Sequence, residues 1–211
     1  VKIFAIGCQS ADSFNIKKDS AAMRIMTWNV EHFDILEHKT HPEKKVKMIE
    51  LVKGYRPDIA CFQEMVASDF EPAAINYLPD FLQQFGMPHY IYSYDPKLDF
   101  DQHHRFGIIT ISRFPILRSK TIVSRPHNYN YTFQYSDIVR DGDTVRVFNL
   151  HLQSLKFSPD NKKYIEDPSL NSKTDIDKSR SIISKLRKGF ARRKEQVDII
   201  RTWIDASPYP V

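Results

Sequence analysis

Cysteine is nearly absent from this chain: its 211 residues hold two, Cys8 and Cys61. Two cannot build the lattice of bridges that staples a small secreted domain, and Cys61 lies in an apolar run expected to be buried. A disulfide framework is therefore excluded, and the redox compartment stays open. Also missing is any apolar run long enough to span a bilayer. The chain does not begin with methionine, so a segment removed upstream of residue 1 is expected. Val1 to Cys8 has two readings: the tail of a membrane anchor or lipoprotein-type signal, or an ordinary edge strand or ordered tail. The second is preferred; the first would make the protein membrane-associated or secreted. Residues 1–22 are expected to be an N-terminal segment or linker, since Gln9 to Ala22 is polar and without periodicity, and a domain is expected over 23–211.

What is present suffices for one globular core, with 41% hydrophobic residues over this length. A formal charge of +5 and an isoelectric point near 9.1 suit a polyanionic partner, either nucleic acid or an anionic membrane surface. A monomer is expected.

The stretch that organises the rest is Met26-Thr27-Trp28-Asn29-Val30, taken with Pro57-Asp58-Ile59-Ala60-Cys61-Phe62-Gln63-Glu64. Met23 to Val30 alternates and is rich in strand formers. Ile59 to Phe62 is a continuous apolar run, which suits a strand buried on both faces. Between them, Pro42 to Gly54 sets Val46, Ile49, Leu51 and Val52 at helical spacing. The order is strand, helix, strand, with Asn29 and Glu64 at the strand ends where sites form in sheets of this layout. Each of those residues alone reads equally well as a turn residue.

As whole motifs these segments resemble the endonuclease/exonuclease/phosphatase superfamily, the deoxyribonuclease-like metal-dependent phosphoesterases. The resemblance continues at Phe106-Gly107-Ile108-Ile109-Thr110-Ile111-Ser112-Arg113-Phe114-Pro115-Ile116, like the family's Gly-led strand ending in Ser-Arg-x-Pro-Ile. It continues again at Val147-Phe148-Asn149-Leu150-His151-Leu152, like its Asn-x-His-Leu strand. Four motifs in the right order are specific where one would not be. The resemblance implies a four-layer α/β/β/α sandwich with two packed mixed sheets, incomplete at the C-terminus. Local pattern alone gives an α/β fold with about seven strands and three helices.

The resemblance also implies roles. Glu64 would hold Mg2+, or Mn2+ in its place. Asn29 would orient Glu64 or touch the attacking water or the phosphate. His151 would bind the scissile phosphate or protonate the leaving oxygen, which an imidazole titrating near neutrality can do. Without the resemblance, His151 reads as a core histidine satisfied by a carbonyl. Arg105 and Ser112, on the strand the family places beside the cleft, and Arg193, in an Arg-x-x-Gln helix signature, are candidate substrate contacts. The family's Gly-Asp-x-Asn motif and its later Asp-His pair, which supplies the general base, are not in this chain, so an inactive or damaged site is expected of the chain alone. One departure lies inside the covered region: Glu31 stands where relatives often carry Arg. An acid facing a phosphate would repel it, so Glu31 points away or the substrate contact differs.

The implied activity is metal-dependent hydrolysis of a phosphoester, most specifically a phosphodiester in nucleic acid or another molecule. The rival reading is a non-catalytic binding or interaction module that keeps the fold. Further along, Pro72 to Phe85 reads as a helix and Tyr90 to Tyr94 as a strand. Asp99, Asp101, His103, His104 and His127 are a conceivable second metal site, although a hydrated loop is the preferred reading. Asp141-Gly142-Asp143 reads as a hairpin turn, and Lys156 to Ser172 as an irregular insertion. Ile176 to Asp205 reads as one helix, with a possible break at Gly189. It carries an apolar stripe through Ile183, Leu186, Phe190, Val197, Ile200 and Ile204, and a basic face through Lys185, Arg187, Lys188, Arg192, Arg193 and Lys194. That face would follow a phosphate backbone, lie on anionic lipid, or simply be solvated.

Overall fold

A computed structural model describes residues 22–32, 41–67, 78–94, 105–125, 128, 131–155, 157–168 and 172–211. The conceivable metal cluster of Asp99, Asp101, His103, His104 and His127, along with Cys8, lies outside these residues, as does the 72–77 part of the expected second helix. The described chain divides into two compact units, Val1–His151 with Tyr209–Val211, and Leu152–Pro208. No described helix is long and apolar enough to cross a membrane.

In the first unit the alternating run becomes β1 (Ile25–Asn29), followed by α1 (Pro42–Tyr55) and β2 (Ile59–Ala67), which is apolar apart from Gln63 and Glu64 and runs three residues beyond the expected stop at Glu64. After α2 (Leu78–Phe85) come β3 (His89–Tyr94) and β4 (Arg105–Ser112). These strands form a mixed sheet of order β1-β2-β4-β3, with β1 parallel to β2 and the other pairs antiparallel. The chain continues through β5 (Ile116–Val123), β6 (Thr132–Arg140) and β7 (Asp143–Asn149), an antiparallel sheet of order β5-β6-β7. The expected hairpin is there: Arg140 pairs with Asp143 across Asp141 and Gly142, both at positive φ. Two left-handed residues match the twist of the strands they join.

One face of the mixed sheet, with Phe62, Met65, Ile109 and Ile111, packs on Ile49 and Val52 of α1 and on Phe81 and Phe85 of α2. Its other face, with Ile59 and Cys61, meets Ile138 and Val147 of the second sheet. The expected two-sheet α/β sandwich is thus present, and its middle layer is unusually polar. Ser93 and Thr121 share a 2.7 Å hydroxyl contact, and Gln134, fully buried, donates to the Ile108 carbonyl at 2.8 Å. Gly107 lies where a Cβ would run into the Ser93 carbonyl oxygen, so only glycine lets β3 and β4 approach there. Within the second sheet, Arg146 forks onto the buried Asp137 at 2.6 and 2.8 Å and lies 4.0 Å above the Tyr135 ring.

The second unit holds α3 (Pro159–Glu166) and the 33-residue α4 (Lys173–Asp205). α3 falls in the stretch expected to be irregular. Ser158 caps it by accepting from the Asn161 N–H, and Pro159 supplies a ready-made first turn. α4 runs unbroken through Gly189, whose missing side chain leaves room for Leu155. The apolar stripe does not all turn inward: Ile200 is buried, while Ile183, Phe190, Val197 and Ile204 are exposed and, with Ile176 outside the stripe, recur at every seventh residue. The basic face is likewise engaged in part, with Lys185 on Asn161 Oδ1 and Lys194 on Asp198.

Candidate active site

A strand that alternates regularly would send Gln63 and Glu64 to opposite faces of the sheet. Here Phe62 pairs with Ile109 and Met65 with Gly107, so two residues of β2 oppose the single Ile108. Glu64 takes a left-handed φ of 53° at this bulge. Bulges re-aim side chains, and this one turns both residues towards the end of β7. Gln63 Nε2 donates to Asn149 Oδ1 at 2.8 Å, and Glu64 Oε1 lies 3.3 Å from His151 Nε2.

Asn149 holds the bulge closed. It is 1% exposed, and its Nδ2 donates to the carbonyls of Ile109 at 2.8 Å and Phe62 at 3.3 Å, the ladder pair beside the bulge. Gln63 also donates to Thr27 Oγ1 and to the Cys61 carbonyl, each at 3.2 Å, which ties β1 to the same point. Both carboxamides were visible in the motifs without a role. The signal was a polar side chain inside an apolar run, which must find partners if buried.

Burial pushes the His151 imidazole below the usual histidine range, and the negative charge of Glu64 pulls partly the other way. A neutral imidazole keeps one N–H donor and one acceptor nitrogen. Glu64 remains partly open, with its side chain 25% exposed. Asn29 ends β1 beside Gln63, and the Val30 N–H donates to the Gln63 carbonyl at 3.0 Å. Its Oδ1 accepts from the Glu31 N–H at 3.1 Å, holding a turn in which Glu31 and His32 both have positive φ. The His32 ring lies 5.3 Å from that of Phe106. Left-handed non-glycine residues each cost of order 1 kcal/mol, and they gather where side chains must be aimed.

The other candidates fall in different places. Arg105 opposes Ala67 at the same end of β2 as Glu64, with its guanidinium 5.7 Å from the Tyr94 ring centre. Ser112 is not brought to this edge. It opposes Ile59, five residues and about 17 Å of strand from Glu64. Its hydroxyl is buried and accepts from the Phe114 N–H, closing a turn. Arg193, in the second unit, donates to the Gln153 carbonyl while Gln196 accepts from the Gln153 N–H. The Arg-x-x-Gln signature therefore clamps the backbone two residues beyond His151.

A hard cation such as Mg2+ takes oxygen ligands and is commonly held by one or two carboxylates with several waters. Glu64, with the Asn29 carboxamide on the neighbouring strand end, fits that habit. Among the described residues no group of three or more His, Cys, Asp or Glu side chains gathers into a larger cage.

The profile of the endonuclease/exonuclease/phosphatase family matches residues 26–205. The chain belongs to that family. Its members hydrolyse phosphoesters and typically use divalent ions. No curated protein matches the sequence. Among solved structures of this family's fold, the chain is similar to the crystal structure of SmcL, at 19% identity and a TM-score of 0.52. That match covers 89% of this chain and 59% of the other. A family protein from Leptotrichia buccalis C-1013-b matches at 15% identity and TM-score 0.47, over 78% of this chain and 74% of that one. A single-substitution variant of the 3′ phosphatase NExo from Neisseria, bound to a product DNA hairpin, matches at 21% identity and TM-score 0.42. There the match covers 86% of this chain and 53% of that one.

Proposed function

We propose that the edge formed by Glu64, His151 and Asn29 belongs to a metal-dependent phosphodiester hydrolase site. The observation that carries this reading is the contact of His151 with Glu64 at 3.3 Å, made possible by the bulge in β2. Glu64 would hold the divalent cation, with Mg2+ first and Mn2+ as a substitute. Bound there, the cation would neutralise charge on the phosphoryl oxygens and orient water. His151, held neutral by burial, presents an N–H to a phosphoryl oxygen or to the leaving oxygen when phosphate enters beside Glu64. The Asn29 carboxamide lies next in line along the strand ends and donates its Nδ2 to the phosphate or to the attacking water. Arg105, at the same end of β2, extends positive charge along the path of a polyanion. The chain's net charge of +5 favours nucleic acid as that polyanion. Ser112 and Arg193 take no part in this reading, because their polar atoms serve a turn and a helix clamp.

The test is cleavage of bis(p-nitrophenyl) phosphate and of plasmid DNA, with Mg2+ and with EDTA, by this chain extended with the family's Gly-Asp-x-Asn and Asp-His segments, which supply the general base. Turnover that EDTA abolishes is expected, falling by about 100-fold or more in His151→Gln and in Glu64→Gln. Turnover indifferent to EDTA or to Glu64→Gln would overturn the reading. Binding of DNA with no turnover on either substrate would favour a module that keeps the fold without the chemistry.

A further inference from the structure

At the opposite end of the mixed sheet, where α1 hands over to β2 and β4 leaves the sheet, lies a cleft of about 200 Å3. Three cations line it: Lys53 in the last turn of α1, Arg56 just beyond that turn, and Arg113 just beyond β4. Its floor is apolar, from Val52, Phe85 and Met87, all of them buried. No carboxylate is among its lining residues. Lys53 has Glu50 as a partner at 2.8 Å, whereas among the described residues the guanidinium groups of Arg56 and Arg113 form no ion pair. Arg56 also occupies a left-handed cap at φ 47°, the position where a helix end favours glycine. The backbone carries an arginine there although the left-handed region disfavours residues with a Cβ.

We infer that this cleft binds a small aryl phosphate, with the phosphate held by Arg56 and Arg113 and the flat ring laid on Phe85 and Met87. Guanidinium forks match phosphate oxygens two at a time, which a lone ammonium does not. A cavity of this size holds a single ring. The cleft is separate from the Glu64 edge, since it lies before Ile59, where β2 begins, and Ile59 already stands five residues, about 17 Å of strand, from Glu64.

The experiment is an NMR titration of isotope-labelled protein in EDTA-containing buffer, with phenyl phosphate, inorganic phosphate and phenol as separate probes. Phenyl phosphate is expected to shift the amides of Arg56, Phe85, Met87 and Arg113 and to bind about tenfold tighter than inorganic phosphate, because its ring buries apolar surface. Arg56→Gly and Arg113→Gln are each expected to weaken it about tenfold. The first variant relieves the strained φ, so its fold is kept or strengthened. Glu64→Gln is expected to bind phenyl phosphate as the parent does, so loss of hydrolysis in that variant leaves this site standing. Shifts confined to the Glu64 edge, equal affinity in the arginine variants, or equal affinity for phosphate with and without the ring would each overturn the proposal.

Discussion

Replacing Asn149 with Ala removes three hydrogen bonds from a side chain that is 1% exposed: two donated to the Phe62 and Ile109 carbonyls and one accepted from Gln63. A buried neutral hydrogen bond contributes about 1 kcal/mol net, so the loss is about 3 kcal/mol. For a chain of this size that lowers the thermal midpoint by roughly 10 °C. Urea unfolding followed by the fluorescence of Trp28 and Trp203 measures it directly. Stability alone would not separate a clamp from ordinary packing, so the companion variant is Val147→Ala on the same strand. It removes apolar contact in the layer between the sheets at a cost of about 2 kcal/mol. Both variants are expected to be destabilised. In the extended protein used to test the proposed activity, only Asn149→Ala is expected to lose Mg2+-dependent turnover at a temperature where both remain folded, because only it frees the bulge that aims Glu64 at His151. A destabilisation well under 1 kcal/mol would mean that the three bonds do not hold the sheets together. Equal turnover in the two variants would mean that the clamp does not position Glu64.

Gly107→Ala forces a Cβ into the Ser93 carbonyl and is expected to cost about 3 kcal/mol in urea unfolding by prying β3 from β4; a neutral effect would refute the close approach. Cys61 is buried and its thiol is pushed up to about 11 by desolvation, against a weaker opposite pull from Thr110. Iodoacetamide at mildly alkaline pH should therefore leave the Cys61 peptide unmodified in the native protein and alkylate it in urea, as read by mass spectrometry. Arg146→Met leaves the Asp137 carboxylate buried without its partner and is expected to cost about 3–5 kcal/mol, whereas Arg146→Met with Asp137→Leu should recover most of that. A double variant no better than the single one would show that the stacking of Arg146 on Tyr135, rather than the charge pair, carries the stability.

The sheet-forming segments were legible because burial writes itself into the sequence: Ile59 to Phe62 reads as a doubly covered strand, and it is one. Asn29 was legible as a strand-end residue and ends β1; Glu64 was read the same way but lies inside β2, which continues to Ala67, and the fold brings it against His151 just beyond β7. The bulge was not legible. Nothing in Phe62-Gln63-Glu64-Met65 distinguishes a regular alternation from one that pauses, because the pause is set by what β4 and Asn149 offer from 40 and more residues away. Ser112 was misleading for a similar reason. Its motif fixes its place on a strand, but an antiparallel partner carries that place to the far end of β2. The stripe on α4 was half legible, since period alone does not say which rows of a long helix find a neighbour.

The exposed row on α4 has a geometric consequence of its own. Ile176, Ile183, Phe190, Val197 and Ile204 are spaced by seven, but a straight helix of 3.6 residues per turn drifts about 20° with each such step. Over four steps the row winds through roughly 80°. What reads as a line in the sequence is a spiral ramp on the cylinder, and Ile176 and Ile204 look out in directions nearly at right angles.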